Sequence, residues 1–201
     1  AEIGLRLDLE LESARAALAH LDAVPPDVYL SINFSPDTVI TPQFMQMVSE
    51  TPLERVVVEL SEHLPVTDYD MLNQSLGQLR ARGGRLAIDD AGAGFASLQH
   101  ILRLSPDVIK LDITLTKGVD SDQARRALAF ALTSFASEIG ADIVAEGVET
   151  RSELEALKAL GVVYGQGFYL GYPAPAPWGG PSPSGGMEEP SDQAEPELPL
   201  S

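Results

Sequence analysis

The chain has no cysteine, only three histidines (His20, His63 and His100), and 13 lysines and arginines against 30 aspartates and glutamates. Without cysteine there is no disulfide framework, no thiol nucleophile and no thiolate metal site, and three scattered histidines leave little for a zinc centre. Any metal must be held by oxygen. A formal net charge of −17 argues against binding to nucleic-acid polymers or to an anionic membrane face. No run approaches the roughly 18 to 20 consecutive apolar residues of a membrane span, and the N-terminus shows no basic-then-apolar signal region. The expectation is a soluble, cytoplasmic chain that makes no membrane contact of its own, whether or not a parent protein is tethered.

What is present suffices for one sizeable core: 201 residues, 44% of them hydrophobic. The composition changes after Tyr172. From Pro173 to Ser201 there are eight prolines, two glycine pairs, several acids and no lysine or arginine, which reads as a disordered acidic tail behind a folded domain spanning 1–172. Within that domain, short apolar runs at Val28–Asn33, Arg55–Leu60, Arg85–Asp89, Val108–Leu111, Asp142–Ala145 and Val162–Phe168 alternate with helical patterns. The helical patterns are Asp8–Leu21, Pro42–Glu50, Asp68–Arg82, Leu98–Leu104, Asp122–Ile139 and Ser152–Leu160. In the fifth, Leu128, Ala131, Leu132, Phe135 and Ile139 are expected to form the buried face. Six repeated βα units without a glycine-rich dinucleotide fingerprint predict a TIM-like β/α barrel rather than a doubly wound sheet. A full barrel takes about 250 residues, so the first strands are expected to lie before Ala1, and the chain by itself is expected to be unstable, aggregated or swapped with a second copy.

Barrel enzymes work at the C-terminal ends of their strands, and here those ends repeat one chemistry. The runs finish in Asn33, Glu59, Asp89 with Asp90, Lys110 with Asp112, Glu146 and Gln166. All but the lysine are oxygen donors suited to a hard cation. Lys110 and Asp112 stand two apart, so on a strand both point inward and share one site. Asp89 and Asp90 are adjacent and reach one site only if the chain leaves the strand there, a turn that Gly92 and Gly94 permit. A carboxylate pair at such a bend can bridge two divalent ions roughly 3.5 to 4 Å apart, the usual apparatus for in-line hydrolysis of a phosphodiester. Such ions also let a strongly acidic protein take an anionic substrate.

Each residue alone has a plainer reading. A lone strand-end carboxylate serves equally as a helix N-cap or ion-pair partner, Lys110 as a snorkelling surface lysine, Asn33 as a turn residue and Gln166 as a partner for a backbone group. The histidines read as helix or loop residues without a role. Phe95, Phe168 and Tyr169 read as packing residues, one of which could touch a nucleobase at the mouth. It is the set of six that points to a site.

Taken in order, Asn33 with Ser35, Glu59-Leu60-Ser61-Glu62, the Asp89-Asp90 loop to Leu98, Lys110-Leu111-Asp112, Glu146-Gly147-Val148-Glu149-Thr150 and Gln166-Gly167 resemble a known family, the bacterial EAL domains. The resemblance covers essentially Ala1 to Pro175. It implies a barrel whose mouth binds cyclic di-GMP and, with two Mg²⁺ or Mn²⁺ ions, cleaves one phosphodiester bond to give the linear dinucleotide pGpG. On that resemblance Asn33, Glu59 and Asp89 ligate the first metal and Asp89 and Asp90 the second, with Glu146 beside it. Lys110 acts on the nucleophilic water, Asp112 and Gln166 complete the substrate site, and Glu62 braces the loop after Asp90 that couples metal binding to dimerisation. It further implies a homodimer and an upstream sensory or GGDEF-type domain. The alternative it leaves is an EAL-like receptor, catalytically weak or inactive, that holds cyclic di-GMP and signals to a partner; a barrel with unrelated metal-dependent chemistry is a third reading.

Two departures stand out. The family's namesake Glu-Ala-Leu belongs to an early strand, and the triplet Glu155-Ala156-Leu157 is not its counterpart. Leu154, Leu157 and Leu160 make the buried stripe of a late helix, which turns Glu155 to solvent. In the loop from Asp90 to Leu98, Ala91, Ala93, Phe95 and Ala96 replace the Phe, Thr, Tyr and Ser usual in the family, removing hydroxyls that order it.

Overall fold

A computed structural model describes residues 2–61, 66–92 and 95–173. The tail from 174, Glu62, His63, Ala93 and Gly94 lie outside the described residues, as does the side chain of Phe95. Helix α1 (Glu2–Leu18) precedes β1 (Leu30–Phe34); then follow α2 (Pro36–Val39), α3 (Pro42–Glu50), β2 (Val56–Ser61), α4 (Tyr69–Ala81) and β3 (Arg85–Ala91). The chain continues through α5 (Phe95–Leu104), β4 (Val108–Leu111), α6 (Ile113–Thr116), α7 (Gln123–Ile139), β5 (Asp142–Ala145), α8 (Arg151–Ala159) and β6 (Tyr164–Gly165). The six strands form one parallel sheet in sequential order, the arrangement expected of successive βα units in a barrel. Among the described residues β1 and β6 are the sheet's two edges. No described helix is long and apolar enough to cross a membrane.

The helix starts follow from local chemistry. Thr41 accepts from the Phe44 amide with Pro42 in the first turn, Asp68 accepts from Asp70 and Met71, and Asp122 accepts from Ala124 and Arg125. Each side chain takes up amides that the first helical turn leaves without a partner. Helix α7 ends at Gly140, whose φ of 74° is the left-handed cap that glycine adopts without a Cβ penalty.

Period-two alternation along the strands separates two layers. Outward residues such as Leu60, Leu86, Ile88, Ile109 and Leu111 are at most 2% exposed beneath the helices, packed with Leu72, Leu76 and Leu79 of α4. Inward residues Val57, Ala87 and Val108 form a second, smaller cluster. The same three residues, with Ser31, Glu59, Lys110 and Gln166 among others, line a cavity of about 220 Å³ on the inner face that draws on all six strands or the residues flanking them.

The last two long helices differ in how closely their buried faces follow the sequence pattern. The stripe of α8 is as expected: Leu157 is buried, Leu154 and Leu160 pack against the core, and Glu155 is exposed. The stripe of α7 is rotated. Ala129, Leu132 and Ala136 are buried while Leu128 and Ile139 are exposed, at 44% and 43%, because small alanines allow closer approach to the sheet than the bulkier residues beside them.

Candidate active site at the barrel mouth

The site is built where the inward positions run out at the strand ends. In β1, Ile32 and Phe34 are buried outward, which turns Ser31 and Asn33 to the interior. Asn33 pairs in register with Glu59 of β2, and paired residues of parallel strands share a face roughly 4.8 Å apart. Glu59 is 7% exposed. Its Oε1 accepts from the Ser31 hydroxyl and its Oε2 accepts from Lys110 Nζ at 3.0 Å.

Asp89 and Asp90 do converge, by a route other than the expected exit at the glycines. Strand β3 runs on to Ala91, and its pairing with β4 steps from Ile88↔Ile109 to Ala91↔Leu111. Between these pairs Asp89 and Asp90 of β3 oppose Lys110 alone on β4. This is a β-bulge, and Asp90 is its irregular residue, with φ 59°, in the left-handed region that aspartate tolerates better than most side chains. The bulge cancels the alternation that would send the neighbouring carboxylates to opposite faces, and the Asp90 amide donates to Asp89 Oδ1 at 3.1 Å.

Strand β4 supplies Lys110, 7% exposed, whose Nζ lies 3.0 Å from Glu59 Oε2, 3.0 Å from Asp89 Oδ1 and 2.7 Å from Glu146 Oε1. Asp112 does not follow Lys110 inward as the two-residue spacing predicts. The strand ends at Leu111, and Asp112 becomes the N-cap of α6, accepting from the Thr114 amide at 2.8 Å and from the Thr114 hydroxyl. The Asp112 carboxylate is therefore engaged at the α6 cap.

Glu146 comes one residue after β5. Its amide donates to Leu111 O at 3.1 Å, and its Oε1 also accepts from Gln166 Nε2 at 2.6 Å. Oxygens of Asp89, Asp90 and Glu146 lie within 4.8 Å of one another, a spacing that fits one metal ion. Only oxygen donors are offered, which suits a hard divalent cation. With Glu59 there are four carboxylates around one ammonium, three negative charges in excess when all are ionised, so the mouth attracts cations.

The titration behaviour follows. Burial alone lowers the Lys110 pKa, but its hydrogen bonds and charge interactions with Glu146, Glu59 and Asp89 outweigh burial and hold it above the ordinary lysine value of 10.5. Burial raises Glu146, and Asp89 and Asp90 add to that, while Lys110 opposes it; the net shift is upward.

Two residues escaped the sequence reading. Ser31 sits two places before Asn33 on the same inward face, a spacing that points to it once the strand is known. Glu153 is 4% exposed and stands three residues after Thr150, the T-x-x-E spacing of a capping box. Its Oε2 accepts from the Glu149 and Thr150 amides, both at 3.0 Å, and its Oε1 reaches across to the Gly118 amide at 2.8 Å.

The fold and mouth define an α/β barrel-type domain with an acidic, cation-seeking site. Over residues 3–173 the sequence matches the EAL domain, and the chain belongs to that family. It is 29% identical over 174 residues to the probable cyclic di-GMP phosphodiesterase PdeG of Escherichia coli, an overlap covering 84% of this chain and 34% of PdeG. Two structures of Klebsiella pneumoniae BlrP1 with cyclic di-GMP, one with calcium and one with manganese, superpose with TM-scores of 0.74 and 0.71 at 30% identity, covering 81% of this chain and 43% of BlrP1. The chain thus spans well under half the length of these relatives.

Proposed function

We propose that this chain is the cyclic di-GMP phosphodiesterase part of a bacterial signalling protein, producing the linear dinucleotide with two Mg²⁺ or Mn²⁺ ions. The observation that carries the reading is the convergence of Glu59, Asp89, Asp90, Glu146, Lys110 and Gln166 on one mouth in a chain of the EAL family.

The donor chemistry fits the metals. Asn33, Glu59 and Asp89 would hold one and Asp89, Asp90 and Glu146 the other. Bound there, the ions would supply charge stabilisation to the phosphoryl oxygens and a lowered pKa for the attacking water. The chain's own groups do the rest. Lys110 places a fixed positive charge among Glu59, Asp89 and Glu146, where it orients the attacking water and opposes the negative charge that develops on the phosphate. Gln166 and Ser31 hold the Glu146 and Glu59 carboxylates in their directions. Asp112 would contribute to the substrate site from its position at the α6 cap.

The test is hydrolysis of cyclic di-GMP by the full-length protein with Mg²⁺ or Mn²⁺, beside a Glu59→Ala variant and a chelated control. Metal-dependent release of the linear dinucleotide, reduced on the order of 10²- to 10³-fold in kcat by the substitution, is the expected result. Binding without cleavage would instead assign a receptor, the reading favoured by the hydroxyls missing at Ala93, Phe95 and Ala96.

A further inference from the structure

Glu153 has no part in the chemistry above, yet it is among the most buried charged groups described, and its carboxylate bonds two separate mouth loops. One oxygen takes the Gly118 amide of the loop between α6 and α7, which follows Lys110's strand; the other takes the Glu149 and Thr150 amides of the loop that carries Glu146. Burial pushes its pKa up, and the three backbone N–H donors, with the Thr150 hydroxyl, outweigh burial and hold it below the usual glutamate value. A second contact runs parallel on the surface, where Lys117 Nζ meets Glu149 Oε2 at 2.9 Å.

An ordinary capping box needs only the N-terminal amides of its own helix. The bond to Gly118, 35 residues away, is additional, and it matters because Glu146 lies beyond the last residue of β5. Register pairing with β4 ends at Ala145 and Glu146 keeps only its amide bond to Leu111 O, so the direction of its carboxylate is set by Lys110 and Gln166 together with how the 146–150 loop is held. Gly147, with φ 65°, sits against the Ile113 side chain, so the same loop is pressed from the β4 side as well.

We propose that Glu153 is a positioning residue that latches the Gly118 loop to the Glu146 loop and thereby sets the carboxylate geometry of the Asp89, Asp90 and Glu146 group for a divalent cation. This rests on the metal-site reading given under the proposed function. Glu153→Gln keeps the side chain's size but presents an amide NH₂ to one set of N–H donors, so one side of the latch is lost. Thr150→Val is the control, because it removes the bond from the Glu153 amide to Thr150 Oγ1 and the hydroxyl's own contact with the carboxylate but leaves in place the three backbone N–H bonds that make the latch.

Mn²⁺ titration of the full-length protein by calorimetry, with folding checked by circular dichroism, separates the cases. Mn²⁺ affinity of the folded Glu153→Gln protein is expected to fall about 10- to 100-fold, as for a lost outer-shell partner, while Thr150→Val lowers thermal stability and leaves the affinity unchanged. Equal losses of affinity in both variants, or none in Glu153→Gln, would reduce Glu153 to a helix cap and overturn the latch. A wild-type protein that takes up no Mn²⁺ would instead overturn the metal site itself.

Discussion

Lys110→Met is expected to destabilise the folded chain by about 3 to 5 kcal/mol at neutral pH, the usual cost of leaving buried charge without its partner. The substitution keeps a side chain of similar reach and removes the cation that faces Glu59, Asp89 and Glu146 together. The deficit relative to wild type is expected to depend on pH in a definite direction. Glu146 is already raised above its unfolded value of 4.5, by burial first and then by Asp89 and Asp90, with Lys110 working against the rise. A raised acid contributes stability that is full below pH 4.5 and lost as pH climbs through the folded value. Removing Lys110 raises that folded value further, so the variant's deficit should be small near pH 4.5 and grow towards neutrality. At the alkaline end the signs reverse. Lys110 is itself raised, so wild type loses a contribution above pH 10.5 that the variant never had, and the two curves approach again. Denaturant midpoints across the pH range measure this, and a deficit that stayed flat would remove Lys110 from the role of counter-charge.

The second large effect is expected at Gly167. A Cβ built there lies 2.2 Å from the Val148 amide nitrogen and 2.3 Å from its carbonyl oxygen, so what must move is backbone. The residue's φ of 154° adds strain that only glycine avoids. The displaced segment is also the Glu146 loop, which β6 and the residues after it hold through Val148 N to Gln166 O and Tyr169 N to Val148 O, both 3.0 Å. Gly167→Ala is expected to cost more than about 3 kcal/mol and to abolish Mn²⁺ binding in whatever fraction folds. Two comparators isolate the cause. Gly140→Ala has φ 74° and nothing within 4 Å, so it pays only the left-handed backbone penalty of about 1 to 2 kcal/mol. Gly147→Ala meets side-chain atoms of Ile113 from 2.3 Å and its Cβ at 3.0 Å, a clash that a side chain can relieve in part where backbone cannot, and should fall between the two. Urea unfolding should show the largest loss for Gly167→Ala, then Gly147→Ala, then Gly140→Ala; equal costs would show that φ alone, and not the approach to Val148, governs Gly167.

The sequence by itself determined the alternation of strands and helices, because that alternation is local. Period-two and period-3.6 patterns, Thr41 and Asp122 before their helices and Gly140 after one act within a few residues, and the six strands and five of the six expected helices stand within about three residues of their patterns; α1 begins at Glu2 rather than Asp8, and the one-turn helices α2 and α6 have no counterpart among the expected elements. It also determined that oxygen donors and one lysine crowd the strand ends, since Asn33, Glu59 and Lys110 hold inward positions that follow from alternation alone. Only the tertiary structure decided the rest, and each case has a long-range cause. The buried face of α7 is rotated because packing against the core selected Ala129, Leu132 and Ala136, the two alanines allowing close approach, over Leu128 and Ile139. Asp89 and Asp90 converge because β4 pairs out of step with β3 and forces a bulge, a property of two strands that neither sequence segment carries. Asp112 became the N-cap of α6 because β4 ends at Leu111 and its carboxylate accepts from the Thr114 amide. Glu153, which reads as an ordinary helix cap, acquired a second partner at Gly118 because folding brought two loops 35 residues apart in sequence within reach of one carboxylate.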